Sequence, residues 1–430
     1  MKAMLDLVAR HKAGEPCGIA SICSAHPLVI EAALNASLKR KASLILIEAT
    51  CNQVNQEGGY TGMRPADFRD FVFQIADGAS VPRDRILLGG DHLGPNPWTH
   101  LPAEEAMTRA ETMVEAYVAA GFRKIHADCS MACADEQVPV PEAVVALRAA
   151  RLIAKSESTW RKAGGEAPVY VIGTEVPVPG GAAEDLPELQ VTLPRAALDT
   201  IRTHQRVFAE HGLSAVWPRV IALVVQPGVE FDHHKVVDYD RAKAAALSRA
   251  IEDLPTLLYE AHSTDYQTPK ALAELVADHF AILKVGPGLT FALREALWAL
   301  DAIEREWLEQ ADWSRFREIV LERMRVNPNY WSKYYHGAGR ALLFDMQYSL
   351  SDRIRYYWPD AEIARAQQKL FDNLAKNPPP PPLISQYMPG AYFAVRNSGS
   401  EPTPENLIRA HIGAVLEGYY AATQPVPEYA

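Results

Sequence analysis

The chain has 430 residues, of which 48% are hydrophobic and 22% charged, and its formal net charge at pH 7 is -10. This composition is ordinary for a folded globular protein. The acidic charge argues against general nucleic-acid binding, which needs a basic excess, and the apolar runs are strand-sized, which predicts that nothing spans a membrane.

Eight short apolar runs, each ending in polar residues, predict eight β-strands. They cover residues 18–24, 44–50, 86–91, 123–128, 169–175, 220–226, 257–262 and 281–286. Helical periodicity separates most of them, and the predicted helices cover residues 1–11, 27–40, 103–120, 141–155, 195–211, 239–251, 268–278 and 291–308. Strands that are apolar on both faces and alternate with helices indicate a parallel sheet.

The fold class that this alternation predicts is α/β, and eight units within residues 1–299 match a (β/α)8 TIM barrel. An open doubly wound sheet is the alternative. That fold usually carries a glycine-rich phosphate fingerprint after its first strand, and Ser24-Ala25-His26-Pro27 is not one.

Residues 300–430 are expected to form a mainly helical C-terminal extension. It is rich in aromatic residues, which favours packing against the barrel or against another subunit. Five consecutive prolines within residues 377–382 predict a stiff, exposed connector.

The five cysteines contain no Cys-x-x-Cys pair, so we expect free thiols in a reducing cytoplasm. Nothing near Met1 resembles a signal peptide. Cys129 and Cys133 could share a helix face as metal ligands, but two thiols without neighbouring partners make a weak signal.

In a barrel of this kind the reacting groups lie at the C-terminal ends of the strands, and polar residues stand at those positions here. They are His26, Glu48, Asn52, Asp91, His92, Asp128, Glu175, Gln226, Glu260, His262 and Lys284. Strand alternation also places Lys124, His126 and Asp128 on one face. Buried carboxylates are unfavourable unless they are paired or used, so a purely structural role for the whole set is disfavoured. Any single member can be structural, and mid-strand His126 is expected to be a hydrogen-bonded core residue.

Residues 89–98 read Gly-Gly-Asp-His-Leu-Gly-Pro-Asn-Pro-Trp, so an acid and an imidazole stand together where a strand becomes a turn. Asp91 and His92 could serve acid–base or metal chemistry. Taken alone, the pair favours a turn-capping acid and a packed histidine; the repetition of polar residues at the other strand ends is what favours a chemical role.

Two further features suggest anion binding. Gly286-Pro287-Gly288 after the eighth strand leads into a helix. Such a turn and the N-terminus of the helix that follows form the usual phosphate-binding site of these barrels. An ordinary turn with a threonine cap is the alternative. Arg396 could reach an anionic substrate, although a surface arginine in a turn is the more frequent case.

Four motifs resemble those of the D-tagatose-bisphosphate aldolase non-catalytic subunit family, which is also labelled tagatose 6-phosphate kinase. They start at residues 89, 124, 259 and 283 and read GGDHLGPN, KIHADCSM, YEAHSTDYQ and LKVGPG. The resemblance covers nearly the whole chain and implies a barrel acting on or near tagatose phosphates. Members of this family are described as aldolase partner subunits, as kinases and as ketohexose or ketohexose-phosphate 4-epimerases.

A more distant similarity connects the chain with the class II zinc aldolases. Asp91-His92, Asp128-Cys129-Ser130 and Glu175-Val176 with the following Gly-Gly and Glu-Asp pairs look like aldolase motifs. The sixth strand has no histidine, and Glu260 stands where a zinc-binding histidine would be, with His262 two residues on. Gly286 and Gly288 align with the Asn and Asp on the phosphate side. Of the three zinc histidines only His92 clearly remains, so the site either binds a divalent ion through a different, more oxygen-rich ligand set or has lost its metal.

The resemblances imply a set of roles for the mouth of the barrel. The catalytic candidates are Asp91, Glu175 and Asp128; the ligands of a divalent ion, zinc or similar, are His92, Glu260 and His262; and the substrate-binding residues are Lys284, Gly286, Gly288, Gln226 and Arg396. No nucleotide cofactor is expected, because no dinucleotide fingerprint or Gly-x-x-x-x-Gly-Lys-Ser/Thr loop occurs.

The function we predict is 4-epimerisation of a ketohexose phosphate such as D-tagatose 6-phosphate by a retro-aldol and aldol mechanism. The alternative is a non-catalytic subunit that stabilises a class II tagatose-bisphosphate aldolase, and a tagatose 6-phosphate kinase ranks third. The expected partners are a phosphorylated ketohexose, that aldolase subunit and further copies of this chain, with no nucleic acid and no membrane.

Overall fold

The computed structural model of the chain describes residues 2–173 and 189–424. Eight parallel strands close into a barrel in which each strand pairs with its neighbours in sequence and the last pairs with the first. They are β1 (Ile19–Cys23), β2 (Ile45–Thr50), β3 (Ile86–Leu93), β4 (Lys124–Ala127), β5 (Val169–Ile172), β6 (Val220–Val225), β7 (Leu258–Ala261) and β8 (Ile282–Val285). The predicted barrel is therefore confirmed, and the open sheet is excluded.

Nine helices of the described residues accompany these strands. They are α1 (Lys2–Lys12), α2 (Pro27–Lys39), α3 (Pro65–Gly78), α4 (Ala103–Ala119), α5 (Glu142–Ala163), α6 (Pro194–Glu210), α7 (Arg241–Ala250), α8 (Pro269–Ala277) and α9 (Pro287–Trp307). Helix α3 was not predicted from the sequence, although Pro65 at its start and Asp67 in its first turn are helix-start signals. A short antiparallel pair after β6, Glu230–Phe231 with Val236–Val237, was not predicted either.

In the described residues the extension is helical, and α9 crosses the boundary that was placed at residue 299. It continues as α10 (Phe316–Val326), α11 (Arg340–Tyr348), α12 (Ala361–Lys376), α13 (Pro381–Tyr387), α14 (Pro389–Asn397) and α15 (Pro404–Thr423). The proline run is only partly a connector, because α13 begins within it; proline is well tolerated in a first helical turn, where its missing N–H has no intrahelical partner.

The last helix, α15, returns to the barrel and packs against α2, α8 and α9. The Thr423 carbonyl accepts a hydrogen bond of 2.8 Å from the Gly18 N–H just before β1. The Tyr419 hydroxyl donates to the Thr264 carbonyl after β7 at 2.7 Å. The extension therefore covers the seam at which the first and last strands of the barrel meet.

The barrel interior is divided by polarity. Its N-terminal half is filled by an apolar cluster that includes Ile19, Leu46 and Leu87, and Met4 and Val8 of α1 close it from below. Its C-terminal half holds buried charged groups. None of the helices in the described part of the chain has the length and apolar composition needed to cross a bilayer. All five cysteines are free, as expected, and Cys129 and Cys133 lie in a loop rather than on a helix.

Candidate active site at the barrel mouth

A bulge in β3 brings Asp91 and His92 into the mouth together. Consecutive residues of a regular strand point to opposite faces. Here three steps along β3, from Gly90 to Leu93, face two steps along β4, and His92 adopts a left-handed φ of 50°. One inserted residue and a positive φ are the marks of a bulge, a device found beside active sites. Both side chains consequently lie buried in the same cluster.

Beneath this pair lies a buried ion-pair layer formed by β2, β4 and β7. Lys124 Nζ is 2.6 Å from Glu48 Oε1 and 2.7 Å from Glu260 Oε2, and all three side chains are fully buried. The layer requires Gly89, because a Cβ there would lie 2.3 Å from Glu48 Oε1. Burial alone lowers the pKa of Lys124, but Glu260 and Glu48 outweigh it and raise that pKa. Lys124 is therefore an ammonium ion that balances two buried carboxylates.

Two histidines are each oriented by one carboxylate. His92 Nδ1 donates to Asp128 Oδ2 at 2.8 Å, and His262 Nε2 donates to Glu260 Oε1 at 2.9 Å. Burial holds the pKa of His262 well below its ordinary value, so this ring is neutral. Its Nδ1 is buried without a hydrogen-bond partner and therefore carries a free lone pair.

Asp91 stands at the centre of the mouth. Its Oδ1 accepts a hydrogen bond of 2.9 Å from His126 Nδ1, and its Oδ2 is paired with Lys284 Nζ and lies 3.4 Å from His92 Nε2. Burial acts to raise the pKa of Asp91, but His92, Lys284 and His126 hold it well below the ordinary value. His126 also donates from Nε2 to the Gly173 carbonyl at 3.1 Å. It is thus the hydrogen-bonded core residue that was expected.

The donor atoms of the mouth fit a divalent ion. One ligand atom from each of Asp91, His92, His126 and His262 lies within 4.8 Å of the others. His126 uses both ring nitrogens in hydrogen bonds, which leaves two imidazoles and a carboxylate, a donor set suited to zinc or a similar ion. The unpartnered Nδ1 of His262 is the observation that supports this fit.

The expected ligand set changes in one respect. Glu260 is absent from the group of converging donors, because Lys124 and His262 occupy its two oxygens. Asp128 likewise orients His92 instead of facing the cavity centre. Glu260 and Asp128 thus contact His262 and His92 in the way that carboxylates fix the orientation of metal-binding histidines.

A cavity of about 470 Å³ opens above this cluster and is lined by Asp91, His92, His262 and Lys284. Residues of the extension also line it, among them Arg355, Tyr356 and Trp358. The cavity lies at the C-terminal ends of the strands, where ligands of such barrels bind.

The glycine turn after β8 has no free backbone amides at Gly286 and Gly288 with which to bind an anion. Asp265 Oδ1 accepts hydrogen bonds from the Gly286 N–H at 3.0 Å and from the Gly288 N–H at 2.7 Å. A carboxylate of the chain itself thus occupies the amides that were expected to hold a phosphate. Burial raises the pKa of Asp265 to about 6.

The remaining expected site residues lie elsewhere. The Gln226 side chain stabilises a turn by accepting from Gly228 and Val229 N–H groups at 2.8 and 3.0 Å, and it does not line the cavity. Arg396 is exposed on α14, where it stacks on Tyr392 at 5.6 Å. Glu175 lies outside the described residues. Arg355 was missed because it lies in the helical extension, after the last of the barrel motifs; its position among aromatic residues was the available signal.

Comparison with known proteins supports the resemblance seen in the motifs. A family model described as D-tagatose-1,6-bisphosphate aldolase subunit GatZ/KbaZ-like matches residues 4–424. The chain is 52% identical to the protein in the crystal structure of a probable tagatose 6 phosphate kinase from Sinorhizobium meliloti 1021, with a TM-score of 0.87 over 94% of this chain and 100% of that chain.

Two solved aldolases are similar at a lower level. The YdjI aldolase from Escherichia coli K12 is 12% identical with a TM-score of 0.40, and the match covers 86% of this chain and 96% of that chain. Fructose-bisphosphate aldolase from Campylobacter jejuni is 12% identical with a TM-score of 0.43, over 86% of this chain and 93% of that chain.

Proposed function

Because the chain belongs to the D-tagatose-1,6-bisphosphate aldolase subunit GatZ/KbaZ-like family of carbohydrate metabolism, we propose that it is a ketohexose-phosphate 4-epimerase acting on D-tagatose 6-phosphate. The observation that carries the proposal is the pair of Asp91 and Lys284 in the wall of one cavity. A carboxylate oxygen and an ammonium group are the base and the electrophile that a retro-aldol reaction requires.

The reaction inverts C4 by breaking and reforming one carbon–carbon bond. The C4 hydroxyl proton passes to Asp91 Oδ2, the C3–C4 bond breaks, and its electron pair forms the enediolate across C3 and C2. The cavity then holds the dihydroxyacetone enediolate and glyceraldehyde 3-phosphate. Rotation of the aldehyde presents its other face, C3 attacks, and Asp91 returns the proton to the C4 oxygen. The product is the C4 epimer, D-fructose 6-phosphate.

Lys284 links the formation of negative charge on the C2 oxygen to the proton transfer at Asp91. Burial alone lowers its pKa, but Asp91 and the neighbouring acids raise it, so the side chain is an ammonium ion. The developing negative charge on the C2 oxygen draws the ammonium towards it. As Lys284 moves away from Asp91, the carboxylate loses a cation that lowers its pKa, and it becomes a stronger base as the proton is transferred.

The other charged groups position these two. Asp128 and Glu260 hold the rings of His92 and His262 so that His92 Nε2 faces Asp91 and His262 Nδ1 is left without a partner. His92 and His262 would hold a divalent ion, which when bound supplies Lewis-acid stabilisation of the enediolate oxygens. Glu175 stays a predicted proton-transfer residue.

The test is incubation of the purified protein alone with D-tagatose 6-phosphate in D2O, with the products resolved by chromatography and NMR. We expect D-fructose 6-phosphate that keeps its original hydrogen at C4, because the retro-aldol route never breaks that C–H bond. Deuterium at C4 would refute the mechanism, and the absence of any epimer would refute the function.

A second candidate is a non-catalytic subunit, which the description of the matching family model favours. The test adds this protein to a class II tagatose-bisphosphate aldolase: an increase in that enzyme's activity or thermal stability, with no epimerisation by this chain alone, supports the subunit role. ATP consumption in the same mixture tests the kinase activity named for the Sinorhizobium protein.

A further inference from the structure

We propose that the phosphate group of the sugar binds to Arg355 of the helical extension, and not to the glycine turn after β8. This rests on the proposed function, because the phosphate ester belongs to the substrate proposed above. Two observations lead to it: the amides at Gly286 and Gly288 are already used, and Arg355 lines the same cavity without forming an ion pair with any described residue.

The glycine turn is unsuitable for a second anion. The Asp265 carboxylate accepts hydrogen bonds from both amides through one oxygen, and Asp265 is 3% exposed. A phosphate entering this turn would have to displace a carboxylate that has no solvent to move into. The electrostatic advantage of a helix N-terminus is therefore taken up by the protein itself.

Arg355 differs from the other cation of the cavity wall. Lys284 is neutralised by Asp91, whereas among the described residues no carboxylate lies within ion-pair distance of Arg355. Its Nη1 donates to the carbonyl groups of Ser351 and Asp352, and its Nη2 donates to the Tyr356 hydroxyl at 3.1 Å. These contacts fix the guanidinium without cancelling its charge. A half-buried arginine held in this way is suited to bidentate binding of a phosphate.

Tyr356 completes the arrangement. Its hydroxyl oxygen accepts from Arg355 and, at 3.4 Å, from Arg353, so its proton is available for a second hydrogen bond. Tyr60 packs edge-on against the Tyr356 ring with centroids 4.7 Å apart and lines the same cavity. The extension thus contributes a cation and a hydroxyl donor to the cavity that Asp91 and Lys284 also line.

The test measures binding of inorganic phosphate, D-tagatose 6-phosphate and D-tagatose by calorimetry to the full-length protein and to Arg355→Gln. Losing a charge-assisted contact should weaken binding of phosphate and of the phosphorylated sugar about 10- to 100-fold. Affinity for the free sugar should be unchanged. Arg396→Gln is the matched control, because it removes the same charge from an exposed helix outside the cavity, and it should bind like the wild type.

Equal weakening for free and phosphorylated sugar, or no weakening, would overturn the proposal. If Arg355→Gln fails to fold, Arg355→Lys keeps the charge and loses only the planar fork. That variant should bind phosphate about three- to tenfold more weakly than the wild type, because the bidentate contact is lost, and phosphate should protect it less against thermal unfolding; phosphate affinity equal to that of Arg396→Gln would overturn the proposal.

The two hypotheses fail in different ways. A protein without epimerase activity that still shows Arg355-dependent phosphate affinity loses the proposed function and keeps the phosphate site. An active epimerase whose KM for D-tagatose 6-phosphate is unchanged in Arg355→Gln keeps the function and loses this site.

Discussion

Replacing Lys124 with methionine should destabilise the protein strongly at neutral pH. The ammonium lies 2.6 and 2.7 Å from two fully buried carboxylates, and methionine fills similar space without a charge. Removing one partner of a buried ion pair costs about 3–5 kcal/mol, because the remaining charges are left uncompensated. Against a total stability of about 5–15 kcal/mol, this loss is a large fraction of the whole.

The destabilisation should depend on pH. In the wild type, burial tends to raise the pKa of Glu260, but Lys124 and His262 hold it far below the ordinary value. Without Lys124, burial is opposed only by the weaker neighbours, and we expect the folded-state pKa of Glu260 to rise above its unfolded value. A raised carboxyl pKa stabilises the fold below the unfolded pKa, and that stabilisation is lost as the pH rises through the folded pKa. The variant should therefore lose less stability at pH 5 than at pH 8.

The assay is urea unfolding followed by circular dichroism at both pH values, with Lys155→Met as the control. Lys155 pairs with Glu115 at 3.4 Å on the surface, where an ion pair contributes about 0–1 kcal/mol. A Lys124→Met variant destabilised by no more than this control would refute the reasoning, since it would mean that water reaches the charged layer. The triple variant that also carries Glu48→Gln and Glu260→Gln should recover much of the loss, because the unpaired charges are gone.

Three further outcomes are expected. Asp91→Asn keeps the shape of the proposed base but removes its charge, and should lower epimerase turnover about 10²–10⁴-fold; it should also lower the melting temperature, because Lys284 loses its buried ion-pair partner. Burial raises the pKa of Asp265 from 3.8 to about 6, so this group stabilises the fold below pH 3.8 and that stabilisation is lost as the pH rises through 6. The free energy of unfolding of the wild type relative to Asp265→Asn should therefore fall between pH 4 and pH 8 by on the order of 1–3 kcal/mol. A difference that stays constant with pH would contradict this prediction. Burial lowers the pKa of His204 to about 4, so this group's contribution is lost as the pH falls from 6.5 towards 4, and His204→Leu should unfold with a weaker dependence on acid than the wild type.

The sequence was sufficient to predict the barrel and several of the residues at its mouth. Eight apolar runs ending in polar side chains dictate a closed parallel sheet, and strand ends of such a sheet meet at one edge. Asp91, His92 and Lys284 were therefore predicted correctly to lie together. Alternation along β4 likewise predicted that Lys124 and Asp128 face the same interior.

The hydrogen-bond and ion-pair partners of these side chains could not be predicted from the sequence. Which oxygen of Glu260 meets which partner depends on rotamers and on the bulge in β3, and both are set by tertiary packing. The use of the glycine amides depends on Asp265, a residue from a different loop. Arg355 reaches the cavity only because the extension folds back over the mouth. The hydrophobic periodicity of the chain does not predict where the extension packs.

The return of α15 to the start of the barrel has a consequence for biosynthesis. The hydrogen bond between Thr423 and Gly18 joins residues about 400 positions apart, so a growing chain cannot complete this seam until residue 423 has been made. Contacts of such long sequence separation slow folding, and the apolar faces of α2 and α9 stay uncovered in the meantime. The last helix is thus the element whose arrival ends the period in which the nascent protein is exposed to aggregation and proteolysis.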